Sequence, residues 1–429
     1  MMAKIRVCYF VFFLSFLFSC MPSSKEDPGH PPLQISKAEL YDKILGMLVG
    51  SAIGDAMGAP TEMWPRQEIV SKFGFVTGLD SVIRDVSPEG VWIKNMPPGG
   101  TTDDTRWKKL IVEYLVDEPD HKLDPKAFSQ KILHTYDHAR AEITPKDSLD
   151  SLVLEQKTLP VLWLHEWAKA ANPFVLGDFP QYQDQLSTFY GGEMVCAGLL
   201  YGPAIGAFFP VDVPKAYNEA FNLALFDIGY ARDITALSAA WTSLAMNKEI
   251  KGDSMVSVIE KLDPKSFSEA RLVGRTAQRI LRHAQDIDRQ TRESFRIKQG
   301  KDSTFVGFDW TPENLQPAYA LLDKHLQDMP FHAGEIYLQV LTAMLVADFD
   351  FEKTLQFLVN YGRDNDTSAA IAGAILGART GFKKLPDQMK QKVLEVNKEK
   401  LGIDLEELAC KMNEKILRLH TNTSYDSTL

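Results

Sequence analysis

Two short runs of carboxylates and hydroxyls carry the chemistry of this 429-residue chain: Thr101-Thr102-Asp103-Asp104-Thr105 and Asp364-Asn365-Asp366-Thr367. The first follows Gly99-Gly100, the second follows Gly362-Arg363, and each leads into a helix-like apolar segment. A single run of this kind is explained by capping, with Thr102 or Asp103 accepting amide protons at the positive end of a helix. Two runs of the same composition are more than capping requires. Carboxylate and hydroxyl oxygens are hard donors that select Mg²⁺, Mn²⁺ or Ca²⁺ over zinc. Four aspartates brought together repel unless cations neutralise them, so their clustering would itself predict metal. Two divalent ions about 3.5–4 Å apart use this many oxygens and present a polarising face to a substrate. A third stretch, Gly54-Asp55-Ala56-Met57-Gly58-Ala59-Pro60-Thr61-Glu62, adds Asp55 as a buried partner. Glu62 follows a proline where the helix must end, and by itself it reads as a solvated acid.

The elements that position these groups are helical. Ser36-Lys37-Ala38-Glu39 is a capping box opening a helix through Leu40, Ile44 and Leu48. Inside it Gly46, Gly50, Gly54 and Gly58 recur every four residues. Each glycine costs a helix about 1 kcal/mol relative to alanine, so four in register need a compensating contact. Helices touching backbone to backbone supply one. Gly373 and Gly377, flanked by Ala370, Ala374 and Ala378, form a second stripe, and Gly198, Gly202 and Gly206 a third. The expected fold is therefore all-α, a compact single-domain orthogonal helical bundle with close helix crossings. Further helices are expected at 105–116, 126–139, 216–247, 266–288, 336–347, 351–361 and 386–419. Strand-like segments are confined to 73–76 and 304–308, and 65–100, rich in proline and glycine, reads as an irregular loop beside the site.

With 45% hydrophobic residues the chain has enough apolar material for a sizeable core. Its 57 acids against 47 bases speak against a non-specific nucleic-acid binder, which needs a basic surface. At the N-terminus Lys4 and Arg6 precede a twelve-residue apolar run, Val7 to Phe18. That is too short for the ~20 residues of a membrane span and suits an export signal. Leu17-Phe18-Ser19-Cys20 resembles a bacterial lipobox, with Cys20 as the lipidated residue; an ordinary signal peptide ending near a cysteine is the alternative. The organisation expected is a signal at 1–19, a Pro/Gly/Ser-rich tether at 20–35, a folded unit at 36–420 and a disordered tail at 421–429. Cys196 and Cys410 sit in apolar helix-like stretches, and no zinc-type spacing exists.

Three blocks together resemble the ADP-ribosylglycohydrolase family of all-helical di-metal hydrolases. They are Gly46 to Glu62 (GMLVGSAIGDAMGAPTE), Thr101 to Thr105 (TTDDT) and Gly362 to Ala378 (GRDNDTSAAIAGAILGA), with a looser match from Pro203 through Met246. The similarity spans roughly residues 38 to 385. It implies two Mg²⁺ or Mn²⁺ ions held by Thr102, Asp103, Asp104, Asp364, Asp366 and Thr367. It implies that Glu62 matches the family's mobile glutamate and that Asp103 or Glu62 is the catalytic base. Asp55, Arg363 and Asn365 are expected to border the substrate.

The implied activity is hydrolysis of a ribosyl glycosidic bond in an ADP-ribosylated protein or a related ADP-ribose or nucleoside glycoside. A non-catalytic nucleotide- or sugar-binding lipoprotein on the same scaffold is the alternative. Arg363 and Asn365 stand where the family pattern has Gly and Thr, with Arg363 either touching a phosphate or pointing to solvent. Asp233 is a candidate substitute for a histidine found in several members, and His332 a candidate cleft residue. Trp64, Trp92, Trp107, Phe189 and Tyr190 are candidate stacking surfaces. An exported lipoprotein would work on the membrane outside the cytoplasm, away from the intracellular targets of well-known members.

Overall fold

Ser36 caps the first helix as anticipated: its hydroxyl accepts from the Glu39 amide at 3.3 Å, and helix α1 runs Lys37–Gly58. The computed structural model describes residues 35–83, 95–118, 122–144, 157, 161–247, 249–299 and 308–422. The expected signal, lipobox cysteine and most of the tether, together with Trp92 and residues 423–429, lie outside those residues. After α1 come α2 (Arg66–Phe73), α3 (Asp103–Asp117), α4 (Pro125–Ala141), α5 (His165–Leu176) and α6 (Phe179–Thr188). Then follow α7 (Gly202–Phe208), α8 (Val213–Leu223), α9 (Ala231–Ala245), α10 (Gly252–Lys261) and α11 (Thr276–Gln299). The chain closes with α12 (Pro312–Leu322), α13 (Ala333–Val346), α14 (Phe351–Tyr361), α15 (Asn365–Thr380), α16 (Asp387–Leu401) and α17 (Leu405–Asn422). The fold is all-α; among the described residues there is no strand, only the isolated bridges Val82–Met96 and Val195–His332.

The glycine stripes meet each other. A Cβ on Gly46 would lie 2.4 Å from the Gly377 carbonyl oxygen, one on Gly50 2.4 Å from that of Gly373, and one on Gly54 2.1 Å from that of Ala369. A Cβ on Gly58 would sit 2.3 Å from the Asp366 Cα. The partner numbers fall as the α1 numbers rise, so α1 and α15 run antiparallel with their backbones touching. This close approach explains why the helix keeps four poor helix formers. It also brings the C-terminal end of α1 to the N-terminal end of α15. Both helices are enclosed: every residue from Lys43 to Gly58 and from Asn365 to Ala378 is buried. The third stripe works in the same way against α9, where a Cβ on Gly206 would be 2.2 Å from the Ala239 carbonyl oxygen.

Several expected elements are corrected. The helix read over 216–247 is two helices, separated by a turn at Gly229 (φ +55°) and by buried Asp227. Asp227 accepts from the Gly198 amide at 2.9 Å and the Thr235 hydroxyl at 2.7 Å, tying the turn to the third stripe. The helix read over 386–419 breaks at Gly402 (φ +66°), and α17 restarts beyond Asp404, whose carboxylate accepts from the Glu407 amide at 3.0 Å. The helix read from 266 starts only at Thr276. No strand forms at 73–76; instead Val76 donates to Asn360 Oδ1 and accepts from Asn360 Nδ2, each at 2.8 Å, so one amide side chain stands in for a neighbouring strand. The region 65–100 is not wholly irregular, since it contains α2.

Candidate metal centre and active site

Three chain segments converge at the junction of α1, α3 and α15. Asp55, one turn before the end of α1, accepts from the Thr102 amide (2.8 Å), the Thr105 amide (3.1 Å) and the Thr105 hydroxyl (2.6 Å). It therefore fastens the N-terminus of α3 to α1. Thr102 is the N-cap, its hydroxyl accepting from the Asp104 amide at 3.2 Å. Thr101 donates to Asn397 Oδ1 at 2.5 Å, bracing the same turn against α16. Across the junction the Thr367 hydroxyl, in the first turn of α15, donates to Asp104 Oδ2 at 2.9 Å. Two positive helix ends thus face one spot, a favourable setting for carboxylates.

Glu62 is brought in by backbone pairing. The Met63 amide donates to the Arg363 carbonyl at 2.8 Å, and the Arg363 amide donates to the Trp64 carbonyl at 3.3 Å. As a result, one carboxylate oxygen from each of Glu62, Asp364 and Asp366 lies within 4.8 Å of the other two. Asp364 and Asp366 are buried, and Glu62 is half-buried.

The electrostatics of this cluster are unbalanced. Burial pushes the Asp364 and Asp366 carboxyls well above the ordinary range, and the Glu62 and Asp104 charges push them further. Half-buried Asp103 is raised to about 7 by burial and by Asp104, against the pull of Arg106; Glu62 adds to the rise. Asp55 is raised to about 7 by burial and then Asp104, its hydrogen bonds with Thr105 and Thr102 acting the other way. Asp366 Oδ1 is buried with no hydrogen-bond partner. A buried carboxylate oxygen without a donor is costly, and a cation removes that cost. The set Glu62, Asp364 and Asp366, with Asp103, Asp104 and the Thr102 and Thr367 hydroxyls alongside, offers oxygen only. It therefore fits a hard divalent ion.

Three expected substrate contacts are corrected. Asp55 has no exposed surface and is consumed in holding α3, so it cannot border a ligand. Asn365 is equally enclosed, donating to the Thr61 hydroxyl (2.9 Å) and the Val359 carbonyl (3.0 Å). Arg363 neither awaits a phosphate nor points freely to solvent: it pairs with Glu335, Nε to Oε1 at 2.7 Å and Nη2 to Oε2 at 2.9 Å. Asp233 is a buried structural acid, bound by Arg275 at 2.7 and 2.8 Å and by the Tyr217 hydroxyl at 2.6 Å. His332 caps α13, its Nδ1 accepting from the Gly334 amide at 3.1 Å. Trp107 and Phe189 belong to a buried aromatic cluster with Trp167, while Trp64 and Tyr190 remain half-buried.

Lys108 is a feature the motif reading missed. Fully buried, it donates to Asp104 Oδ1 at 3.2 Å. The signal was present: a lysine four residues after an aspartate, on the helix face that carries Trp107 and Ile111. Arg106, beside Asp103, was missed as well; its Nη2 is buried without a partner.

Comparison with known proteins adds to this geometry. The family model described as ADP-ribosylglycohydrolase matches residues 36–423. The chain belongs to the ADP-ribosylglycohydrolase family. It is 23% identical over 383 residues to the uncharacterized protein YegU of Escherichia coli (strain K12), covering 83% of this chain and 93% of that one. It is 32% identical over 108 residues to the ADP-ribosylarginine hydrolase Tri1 of Serratia proteamaculans (strain 568), a quarter of each chain (25% and 25%). A solved structure titled ADP-ribosylglycohydrolase-related protein complex shares the fold with a TM-score of 0.51 at 21% identity, over 88% of this chain and 99% of that one. Membership places the chain in a class of hydrolases.

Proposed function

We propose that the chain is a divalent-metal-dependent hydrolase that cleaves the ribosyl glycosidic bond of an ADP-ribosylated substrate. The observation that carries this reading is the convergence of Glu62, Asp364 and Asp366, of which Asp366 has a buried oxygen that lacks a donor. Glu62, Asp103, Asp104, Asp364, Asp366, Thr102 and Thr367 would hold two Mg²⁺ or Mn²⁺ ions. Ions held there would offset the carboxylate charge and would supply Lewis acidity toward sugar hydroxyls. Asp103 sits in the first turn of α3, half-buried beside the cluster, and is the first candidate to take the proton of the attacking water. Half-buried Glu62 is the second candidate for that proton. Asp104 is held by Lys108 on one oxygen and Thr367 on the other, so it orients rather than transfers. We also propose export and anchoring through lipid on Cys20.

Hydrolysis of ADP-ribosyl-arginine and ADP-ribosyl-serine, with Mg²⁺ or Mn²⁺ and with excess chelator, tests the reading. The partial similarity to an arginine hydrolase puts ADP-ribosyl-arginine first. Cleavage should require metal and disappear in Asp103→Asn and Asp366→Asn. Turnover that persists in chelator, or binding of ADP-ribose with no glycoside cleaved, would overturn it. For the anchor, Cys20→Ser should move the protein from the membrane fraction to the soluble one.

A further inference from the structure

Arg363 occupies a left-handed backbone conformation (φ +67°) directly after Gly362 (φ +88°) and directly before Asp364. A side chain there is strained, and glycine would not be. The arginine is nevertheless heavily engaged. Its guanidinium holds both oxygens of Glu335 and also donates to the Gln327 carbonyl at 2.7 Å. Glu335, only 3% exposed at its side chain, is completed by the Gln327 amide (2.7 Å) and Gln339 Nε2 (2.9 Å). Both main-chain polar groups of Arg363 are spent on the Met63–Trp64 segment. One residue therefore links Glu62, on the connection between α1 and α2, to Asp364 and to the buried carboxylate of Glu335. A second ion pair, Arg66 to Asp323 at 2.7 Å, ties the far end of the same connection to the stretch preceding α13.

We propose that Arg363 is a positioning residue: its ion pair with Glu335 locks the left-handed turn, and through the two backbone hydrogen bonds it fixes Glu62 against Asp364. The role rests on the metal-site reading above for its functional consequence, but the lock itself is independent of metal. Glycine at this position would satisfy the backbone and lose the lock. Residues that orient metal ligands from behind typically change affinity by about 10–100-fold when removed.

The test uses the full-length chain in detergent and the variants Arg363→Gly, Arg363→Lys and Glu335→Gln. Hydrogen exchange reads the Met63 amide, electron paramagnetic resonance reads titration with Mn²⁺ alone, and a thermal melt reads global stability. Arg363→Gly should melt close to the parent, because strain is relieved as the pair is lost. It should nonetheless show severalfold faster exchange at Met63 and a Mn²⁺ dissociation constant raised about tenfold. Glu335→Gln should follow it, and Arg363→Lys should restore part of both effects. Unchanged Met63 exchange in Arg363→Gly would overturn the proposal, as would changes that only track the melting temperature. Should the parent protein bind no Mn²⁺, the metal reading fails while the exchange result still decides the lock.

Discussion

The Thr367 hydroxyl donates to Asp104 Oδ2 at 2.9 Å, joining the first turns of two helices whose residues lie 263 positions apart in the chain. This contact and the Lys108 ammonium on the other oxygen hold Asp104 between the two acidic runs. Thr367→Val removes the donor while keeping the shape. Loss of a hydrogen bond to a charged group should cost roughly 1.5–3 kcal/mol in a urea melt. The same variant should weaken Mn²⁺ binding at least about tenfold by calorimetry, since it removes a hydroxyl from the proposed ligand set and loosens Asp104 beside it.

Gly54 faces the Ala369 carbonyl oxygen at 2.1 Å from where a Cβ would stand, and neither backbone has room to retreat. Gly54→Ala should destabilise the protein by about 3 kcal/mol, the upper end for overpacking, and should abolish metal binding with it. Gly78→Ala is the control: its nearest neighbour is Met389 Cε at 3.8 Å. Its denaturation midpoint should stay within about 0.5 kcal/mol of the parent.

The site carboxyls make stability and metal binding depend on pH in opposite senses. Asp103, raised to about 7, and Asp364 and Asp366, also raised, retain protons in the folded protein where the unfolded chain has released them. Without metal, stability from these groups is therefore full below about pH 4 and is lost as pH rises through the folded values. Protons and cations compete for the same oxygens, so the melting-temperature gain on adding Mn²⁺ should grow from pH 5 to pH 8. A gain independent of pH would place the ion elsewhere.

Cys196 is buried, and burial with the surrounding Asp364, Asp104, Asp227 and Asp103 charges holds its thiol well above the ordinary range. Cys410 is exposed. Brief iodoacetamide treatment followed by peptide mass mapping should label Cys410 and leave Cys196 untouched until denaturant is added. Labelling of Cys196 in the native protein would mean that the site opens far more widely than its packing indicates.

Much of the scaffold was legible because its constraints are local or periodic. Glycines four apart announce a backbone contact wherever their partners lie, and the capping residue at Ser36 needs no tertiary help. The two acidic runs were readable as a pair because each opens a helix. What stayed hidden depends on long-range partners. Asp55 was readable as a buried partner, but that its bonds would run to Thr102 and Thr105, leaving no surface for a substrate, was not. The fate of Arg363 rests on Glu335, which no spacing rule connects to it. The breaks at Gly229 and Gly402 carried a glycine signal, but apolar periodicity on both sides masked it.

Main-chain contact between α1 and α15 at the glycine stripes has a mechanical consequence. Side chains can settle into alternative rotamers, whereas two backbones notched into each other admit only a few discrete alignments. The next one available lies a whole helical turn away, roughly 5.4 Å. A slip of that size would separate the end of α1 from the start of α15, so the register of the two helices is either correct or absent, and finer adjustment of the acidic groups falls to the connections beyond them.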